Sequence, residues 1–145
     1  MKNLKNNKGF SLVELIIVVA IMAILIGILA PQYLKYVERT RLTSDNDYVD
    51  AVRKAVETVA ADPTVVLDGS KYEVVISKNK VEVKKANTGI STGDAFYDAL
   101  GGIVDVTTTT PFKSKAYATG DVTVTLEYDG NGVPSIKVAG QKFGS

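Results

Sequence analysis

A long apolar stretch begins close to the start of the chain. Residues Phe10 to Ala30 read FSLVELIIVVAIMAILIGILA, in which Glu14 is the only charged side chain. As an α-helix, a stretch of this length would extend for about 31 Å, because each residue adds about 1.5 Å, and this matches the hydrocarbon thickness of a bilayer. The pattern therefore predicts a helix that spans a membrane once.

The pattern changes after Pro31 from continuously apolar to amphipathic. Apolar side chains recur there at the spacing of one helix face, at Val49, Val52, Val56 and Val59. Charged side chains lie between them, and Asp62-Pro63 predicts the end of the helix because proline has no N–H and disfavours helical geometry in the residue before it. We therefore predict one helix from Phe10 to about Ala61, whose second half needs a surface that covers its valine face.

The remainder of the chain carries the alternating pattern of half-buried strands. Strands are predicted at Tyr72–Ser77 and Lys80–Lys85 around a turn at Lys78-Asn79, and at Val122–Tyr128 and Ser135–Val138 around a turn at Asp129–Gly132. A short helix is predicted at Asp94–Leu100, capped by Thr92 and stopped by Gly101-Gly102. The expected fold class is α+β, in which a small antiparallel β-sheet packs on the second half of the long helix.

The amino-acid composition excludes several kinds of binding and catalytic site. The net charge of +1 gives no electrostatic reason to expect a nucleic-acid partner. The chain has no Cys and no His, which excludes disulfides, thiolate or imidazole metal sites and a Ser-His-Asp triad. We therefore predict no metal site, no catalytic residues and no cofactor, and we predict that the protein is not an enzyme.

The charges that flank the apolar stretch predict its orientation. Lys2, Lys5 and Lys8 precede the stretch without an acidic residue, and the first base after it is Lys35. This asymmetry favours a cytoplasmic N-terminus. A conventional secretory signal is a weaker interpretation because Pro31 follows the small residue Ala30 where cleavage would occur. A plain signal anchor remains the main alternative.

Glu14 is the residue that a plain anchor does not explain. A carboxylate inside the hydrocarbon costs about 2.5–3.5 kcal/mol on insertion scales, so it is expected to be paired, neutralised or functional. The simpler alternative is that Glu14 lies shallow enough to reach the lipid headgroups. That alternative accounts for Glu14, but not for the residues that precede it.

The junction Lys8-Gly9-Phe10-Ser11-Leu12-Val13-Glu14 closely resembles the class III signal of type IV prepilins and pseudopilins. The resemblance extends over about Lys8 to Tyr36. It implies that a membrane-embedded aspartyl peptidase, the prepilin peptidase, cuts between Gly9 and Phe10 and that Phe10 is then N-methylated. It also implies the type IV pilin fold.

The resemblance implies a division of the chain and a set of partners. The divisions are a cleaved leader at 1–9, a transmembrane and filament-core helix at 10–31, an amphipathic continuation at 32–61 and a β-rich head domain at 62–145. The implied partners are other copies of the chain in a helical homopolymer, the prepilin peptidase, a pilus assembly platform protein with its ATPases, and the membrane before assembly.

Two features of the apolar helix are predicted to act in assembly. The new amine on Phe10 of an incoming subunit would approach Glu14 of a neighbour, so that pairing sets the register of the filament. In the competing arrangement, the Phe10 amine pairs with the Glu14 carboxylate of the same subunit, one helical turn away. Gly27 and Pro31 predict a kink, and the resemblance implies that this stretch can lose helical order in the filament.

Three functions stay open at this point. The first is a pilus subunit that supports adhesion, surface motility or biofilm, and the second is a pseudopilin of a type II secretion or DNA-uptake system. The third is a membrane-anchored enzyme or solute-binding domain.

The lack of Cys departs from many Gram-negative pilins, so a Gram-positive, clostridial-like source is favoured alongside a pseudopilin. A calcium site at Asp129 and modification at Thr107–Thr110 are weaker interpretations than a hairpin turn and an exposed loop.

Overall fold

The structure is a computed structural model that describes residues 10–142, so the predicted leader at 1–9 lies outside the described residues. The chain divides into two compact units between Val37 and Glu38. The elements in chain order are α1 (Leu12–Ala61), β1 (Tyr72–Ser77), β2 (Lys80–Lys85), β3 (Thr88–Ile90), α2 (Ala95–Gly101), a 3-10 turn (Lys115–Tyr117), β4 (Val122–Tyr128) and β5 (Pro134–Ala139).

Helix α1 confirms the predicted long helix, although it begins at Leu12 instead of Phe10. Its buried residues are the four predicted valines together with Asp45 and Ala55. The helix ends at Ala61, where the side chain of Asp62 accepts hydrogen bonds from the backbone N–H and the hydroxyl of Thr64, at 2.8 and 2.7 Å. These bonds fold the chain into a turn and leave Pro63 outside the helix.

The five strands form one antiparallel sheet in the order β3-β2-β1-β4-β5. In the centre, Val74 of β1 pairs with Val83 of β2 on one side and with Val124 of β4 on the other. The four predicted strands are confirmed, while β3 was not predicted. With three residues it is too short to carry an alternating pattern, and it depends on a turn in which Ala86 and Asn87 both have positive φ angles.

One hydrophobic core unites the sheet with the second half of α1. Alternate residues of β1 and β4 are buried and contribute Tyr72, Val74, Ile76, Val122, Val124 and Leu126. Helix α2 adds Phe96, whose ring stacks on Tyr72 with centroids 4.4 Å apart. The predicted α+β arrangement is therefore confirmed, because the valine face of α1 supplies the other side of this core.

The predicted cap of α2 is wrong. The N-cap is Asp94 instead of Thr92, and its carboxylate accepts from the N–H groups of Phe96 and Tyr97 at 2.9 and 3.5 Å. The helix starts at Ala95, so Thr92 lies too far upstream to reach the free N–H groups of the first turn. The carboxylate of Asp98 reaches back to the N–H of Gly93 at 3.1–3.2 Å and strengthens this start.

The turn between β4 and β5 is organised by Asp129. Its Oδ1 atom accepts from the N–H groups of Asn131 and Val133, both at 2.8 Å. Gly132 has φ +77°, a conformation that side chains disfavour. These contacts support the hairpin interpretation of Asp129. Within residues 10–142, no three His, Cys, Asp or Glu side chains are grouped in a way that would hold a metal ion.

Candidate functional site at the start of the long helix

The first turn of α1 is closed by the Glu14 half of a capping box. The backbone N–H of Ser11 donates to Oε2 of Glu14 at 2.9 Å, and the N–H of Leu15 donates to the carbonyl of Ser11 at 3.2 Å. Ser11 is thus the N-cap residue, and Glu14 is the third helical residue, whose carboxylate returns to the cap. Ser11 is absent from the site residues predicted above, although Ser-x-x-Glu before an apolar run is the sequence signature of this cap.

This geometry gives Glu14 a defined orientation. One carboxylate oxygen is held by its own backbone, and a negative charge in the first turn interacts favourably with the positive end of the helix dipole. Phe10 precedes the helix and its side chain is 92% exposed. The structure therefore places Phe10, the predicted first residue after cleavage, directly before the residue whose N–H holds this carboxylate.

The first half of α1 is apolar and uncovered. Its large apolar side chains from Leu12 to Leu29 each expose between 51 and 72% of their surface. Among residues 10–142, α1 is the one helix long and apolar enough to cross a membrane, and none of its most apolar 18-residue window is buried. Apolar surface of this extent is stable only against lipid or other apolar surfaces.

Gly27 and Pro31 lie inside α1, which continues through both positions. A side chain at Gly27 would meet no atom within 4 Å, so no contact within the chain requires glycine there. Pro31 cannot donate a hydrogen bond to the carbonyl of Gly27. Both residues are separated from Glu14 by about 20 Å or more along the helix. The loss of helical order in the filament stays a prediction.

Comparison with known proteins identifies the chain. Residues 4–30 match the family described as "Prokaryotic N-terminal methylation motif". The chain is 35% identical over 130 residues to the type IV major fimbrial protein FimA of Dichelobacter nodosus, covering 87% of this chain and 73% of the relative. It is 36% identical over 121 residues to a fimbrial protein of Pseudomonas aeruginosa, covering 67% of this chain and 78% of the relative. The chain belongs to the type IV pilin family.

A further relative is a clostridial protein. The prepilin peptidase-dependent protein A of Clostridium perfringens is 28% identical over 81 residues, which cover 54% of this pilin and 58% of the relative. No solved structure matches the pilin significantly. The long helix and antiparallel sheet nevertheless agree with the type IV pilin fold that the sequence predicted.

These findings establish the role of the pilin at the level of the family. It is a subunit of a type IV pilus, and the two relatives from Dichelobacter nodosus and Pseudomonas aeruginosa are named as fimbrial proteins. The pseudopilin hypothesis is not favoured. The methylation motif and the apolar helix fit a membrane-anchored precursor that is processed by a peptidase and assembled into a surface pilus.

Proposed function

We propose that prepilin peptidase cuts this pilin between Gly9 and Phe10, that Phe10 is N-methylated, and that the mature chain polymerises into a pilus. Two observations support the position of the cut. The family match at residues 4–30 spans the junction. The helix begins only at Leu12 with Ser11 as its N-cap, so Phe10 lies outside it.

Each part of the chain has a proposed role. Residues 10–31 anchor the precursor with its N-terminus in the cytoplasm, and after extraction they form the filament core. Residues 32–61 join this helix to the head at 62–145. An assembly platform protein and its ATPases move the subunit from the membrane into the pilus, which supports adhesion, surface motility or biofilm. The exposed apolar surface of α1 supports both roles of residues 10–31. Lipid covers this surface in the membrane, and neighbouring helices cover it in the pilus.

Glu14 sets the register between subunits in this proposal. The supporting observation is its hydrogen bond with Ser11, which orients the carboxylate before any neighbour arrives. An unpaired charge among apolar helices is costly. The incoming subunit is therefore most stable at the one axial position where its Phe10 amine pairs with Glu14 of a neighbour. The charge pair then selects an alignment, while the apolar contacts supply most of the attraction.

The decisive experiment is mass spectrometry of the N-terminus of pilin sheared from the cell surface. We expect a chain that begins at Phe10 and is heavier by one methyl group. A surface protein that begins at Met1 would contradict the proposal. Gly9→Val should leave only full-length precursor in the membrane fraction because its side chain obstructs access to the scissile bond, whereas Asn7→Val is a matched control that should still be processed.

A further inference from the structure

Three successive backbone N–H groups after Phe112 are bound by carboxylates of α1. Asp45, which is only 1% exposed, accepts from the N–H of Lys113 at 2.9 and 3.2 Å and from the N–H of Ser114 at 2.8 Å. Glu38 accepts from the N–H of Lys115. Glu38 and Asp45 are two helical turns apart and therefore share one face of α1. This face holds the segment through its backbone.

The C-terminal segment is bound beside this contact. The hydroxyl of Tyr117 donates to Oδ1 of Asn46 at 2.6 Å and accepts from the N–H of Lys142 at 2.7 Å. Asn46 in turn donates through Nδ2 to the carbonyl of Lys142 at 2.8 Å. Tyr117 is also buried and stacks on Phe112 with ring centroids 4.2 Å apart. One tyrosine thus links the segment 112–117, α1 and the C-terminal segment.

The energetics of this region favour contacts that form together. A buried carboxylate is tolerated only when its oxygens accept hydrogen bonds, and bonds between carboxylates and N–H groups are stronger than neutral ones. The Oγ atom of Ser114 is buried without a partner, alone among the described side-chain atoms in this respect. The segment is therefore held by its backbone at a cost to that side chain, and loss of Asp45 would leave further buried groups unpaired.

We propose that these residues form a polar clasp that closes the C-terminal region of this Cys-free pilin and opens as one cooperative unit while the sheet stays folded. The clasp is defined as Glu38, Asp45 and Asn46 of α1 together with the segment 112–117 and Lys142. All of its members lie in the unit that begins at Glu38. The shared hydroxyl of Tyr117 couples the two halves, and neither the segment 112–117 nor Lys142 belongs to a strand of the sheet. The inference does not depend on processing at Gly9 or on the register role of Glu14.

Limited trypsin digestion of the full chain in detergent micelles tests the clasp, because Lys113 and Lys115 lie within it. Asp45→Asn removes an acceptor oxygen from the carboxylate that holds Lys113 and Ser114. We expect the initial rate of cleavage after Lys113 and Lys115 to rise about tenfold or more. Asp47→Asn, on the exposed side of the same helix, is the matched control and should leave this rate unchanged. An unchanged rate in Asp45→Asn would overturn the proposal.

Hydrogen exchange measured by mass spectrometry on the same samples tests cooperativity. In Asp45→Asn, peptides that contain Ser114 and Lys142 should both exchange faster, while peptides from β1 and β4 keep their protection. Faster exchange in all of these peptides would mean global unfolding and would overturn the claim of a local unit.

Tyr117→Phe provides a second variant that retains the stacked ring and deletes only the hydroxyl. Exchange at Lys142 and at Ser114 should rise by similar factors in this variant, because both positions belong to one opening unit. In the double variant with Asp45→Asn, the effects should be smaller than the sum of the single effects, because either change already releases the shared unit. Additive effects would show that the two halves open independently, and the cooperative clasp would then be wrong.

Discussion

The two halves of α1 have the same secondary structure but opposite relations to the rest of their own chain. In the first half, apolar side chains from Leu12 to Leu29 each expose 51–72% of their surface, whereas in the second half Val49, Val52, Val56 and Val59 expose no more than 2%. The second half finds its apolar partners in the sheet of the same molecule. The first half depends on lipid or on other subunits. The same helix is therefore a folded-domain element in its second half and, in the function proposed above, an assembly element in its first half.

The largest expected effect is the loss of assembly in Glu14→Ala. The variant removes the only acidic side chain of the apolar half and, with it, the proposed partner of a neighbouring Phe10 amine. We expect insertion into the membrane to continue and the yield of sheared pili, measured by immunoblot and electron microscopy, to fall at least about tenfold, as expected for a lost charge pair in an apolar environment.

Glu14→Gln separates the two roles of this side chain. The amide oxygen of Gln can still accept from the N–H of Ser11, so the helix cap is retained while the formal charge is removed. If the charge sets the register, Gln should fail nearly as severely as Ala. Pili of normal yield from Glu14→Gln would instead assign Glu14 to capping alone.

A pair of matched valine substitutions tests the contrast between the two halves directly. Val52→Ala leaves a cavity in the core and should lower the free energy of unfolding of the unit that begins at Glu38 by about 2 kcal/mol. Val18→Ala changes a side chain that is 51% exposed and should leave that free energy unchanged. Thermal unfolding in detergent, followed by circular dichroism at a wavelength that reports the sheet, measures both. Equal destabilisation by the two variants would contradict the claim that only the second half of α1 packs against the sheet of its own chain.

Alkaline pH should weaken the unit that begins at Glu38 through the half-buried Tyr48 and the buried Tyr117. Burial, and to a lesser extent the nearby carboxylate of Asp105, raises the pKa of Tyr48 to about 12, and its hydroxyl donates to the carbonyl of Asp105 at 2.7 Å. Burial also raises the pKa of Tyr117. The folded state favours the neutral phenol, so the two tyrosines contribute fully to the free energy of unfolding below the unfolded pKa of about 10. This stabilisation is lost as pH rises from about 10 towards 12.

Thermal unfolding between pH 8 and pH 12, together with absorbance titration of the phenolate, measures this loss. Tyr48→Phe is the appropriate comparison because it cannot ionise, and its stability should fall less steeply over the same range. An identical pH dependence in the two proteins would assign the alkaline loss to other groups.

The smallest expected effect is that of Gly27→Ala. The added methyl group meets no atom within 4 Å, so the isolated subunit should keep its stability or gain up to about 1 kcal/mol in helix propensity. If this stretch loses helical order in the filament, the variant should instead reduce pilus yield or change the flexibility of the fibres seen by electron microscopy. Lower stability of the isolated subunit would contradict the open surroundings of Gly27.

Local sequence patterns determined the helices and strands of this pilin and the position of its long apolar helix. The apolar run, the valine spacing and the Asp62-Pro63 stop predicted α1 because helix formation depends on neighbours three and four residues apart. Alternation predicted four of the strands for the same reason, since each strand reveals its buried face within a few residues. The junction from Lys8 to Glu14 was recognisable because its chemistry is contiguous in the chain.

Only the tertiary structure decided which polar residues hold the head together. Asp45 meets Lys113 from 68 residues away, and Asn46 meets Lys142 from 96 residues away, so no local pattern marks either contact. In sequence, the spacing of four residues to Val49 places Asp45 on the valine face, but no local pattern shows which groups its carboxylate binds. Its burial follows from the path of the segment 112–117 across α1. The tertiary structure likewise decided the strand order, in which β4 lies beside β1. Alternation shows which face of each strand is buried, but it does not show which strands pair.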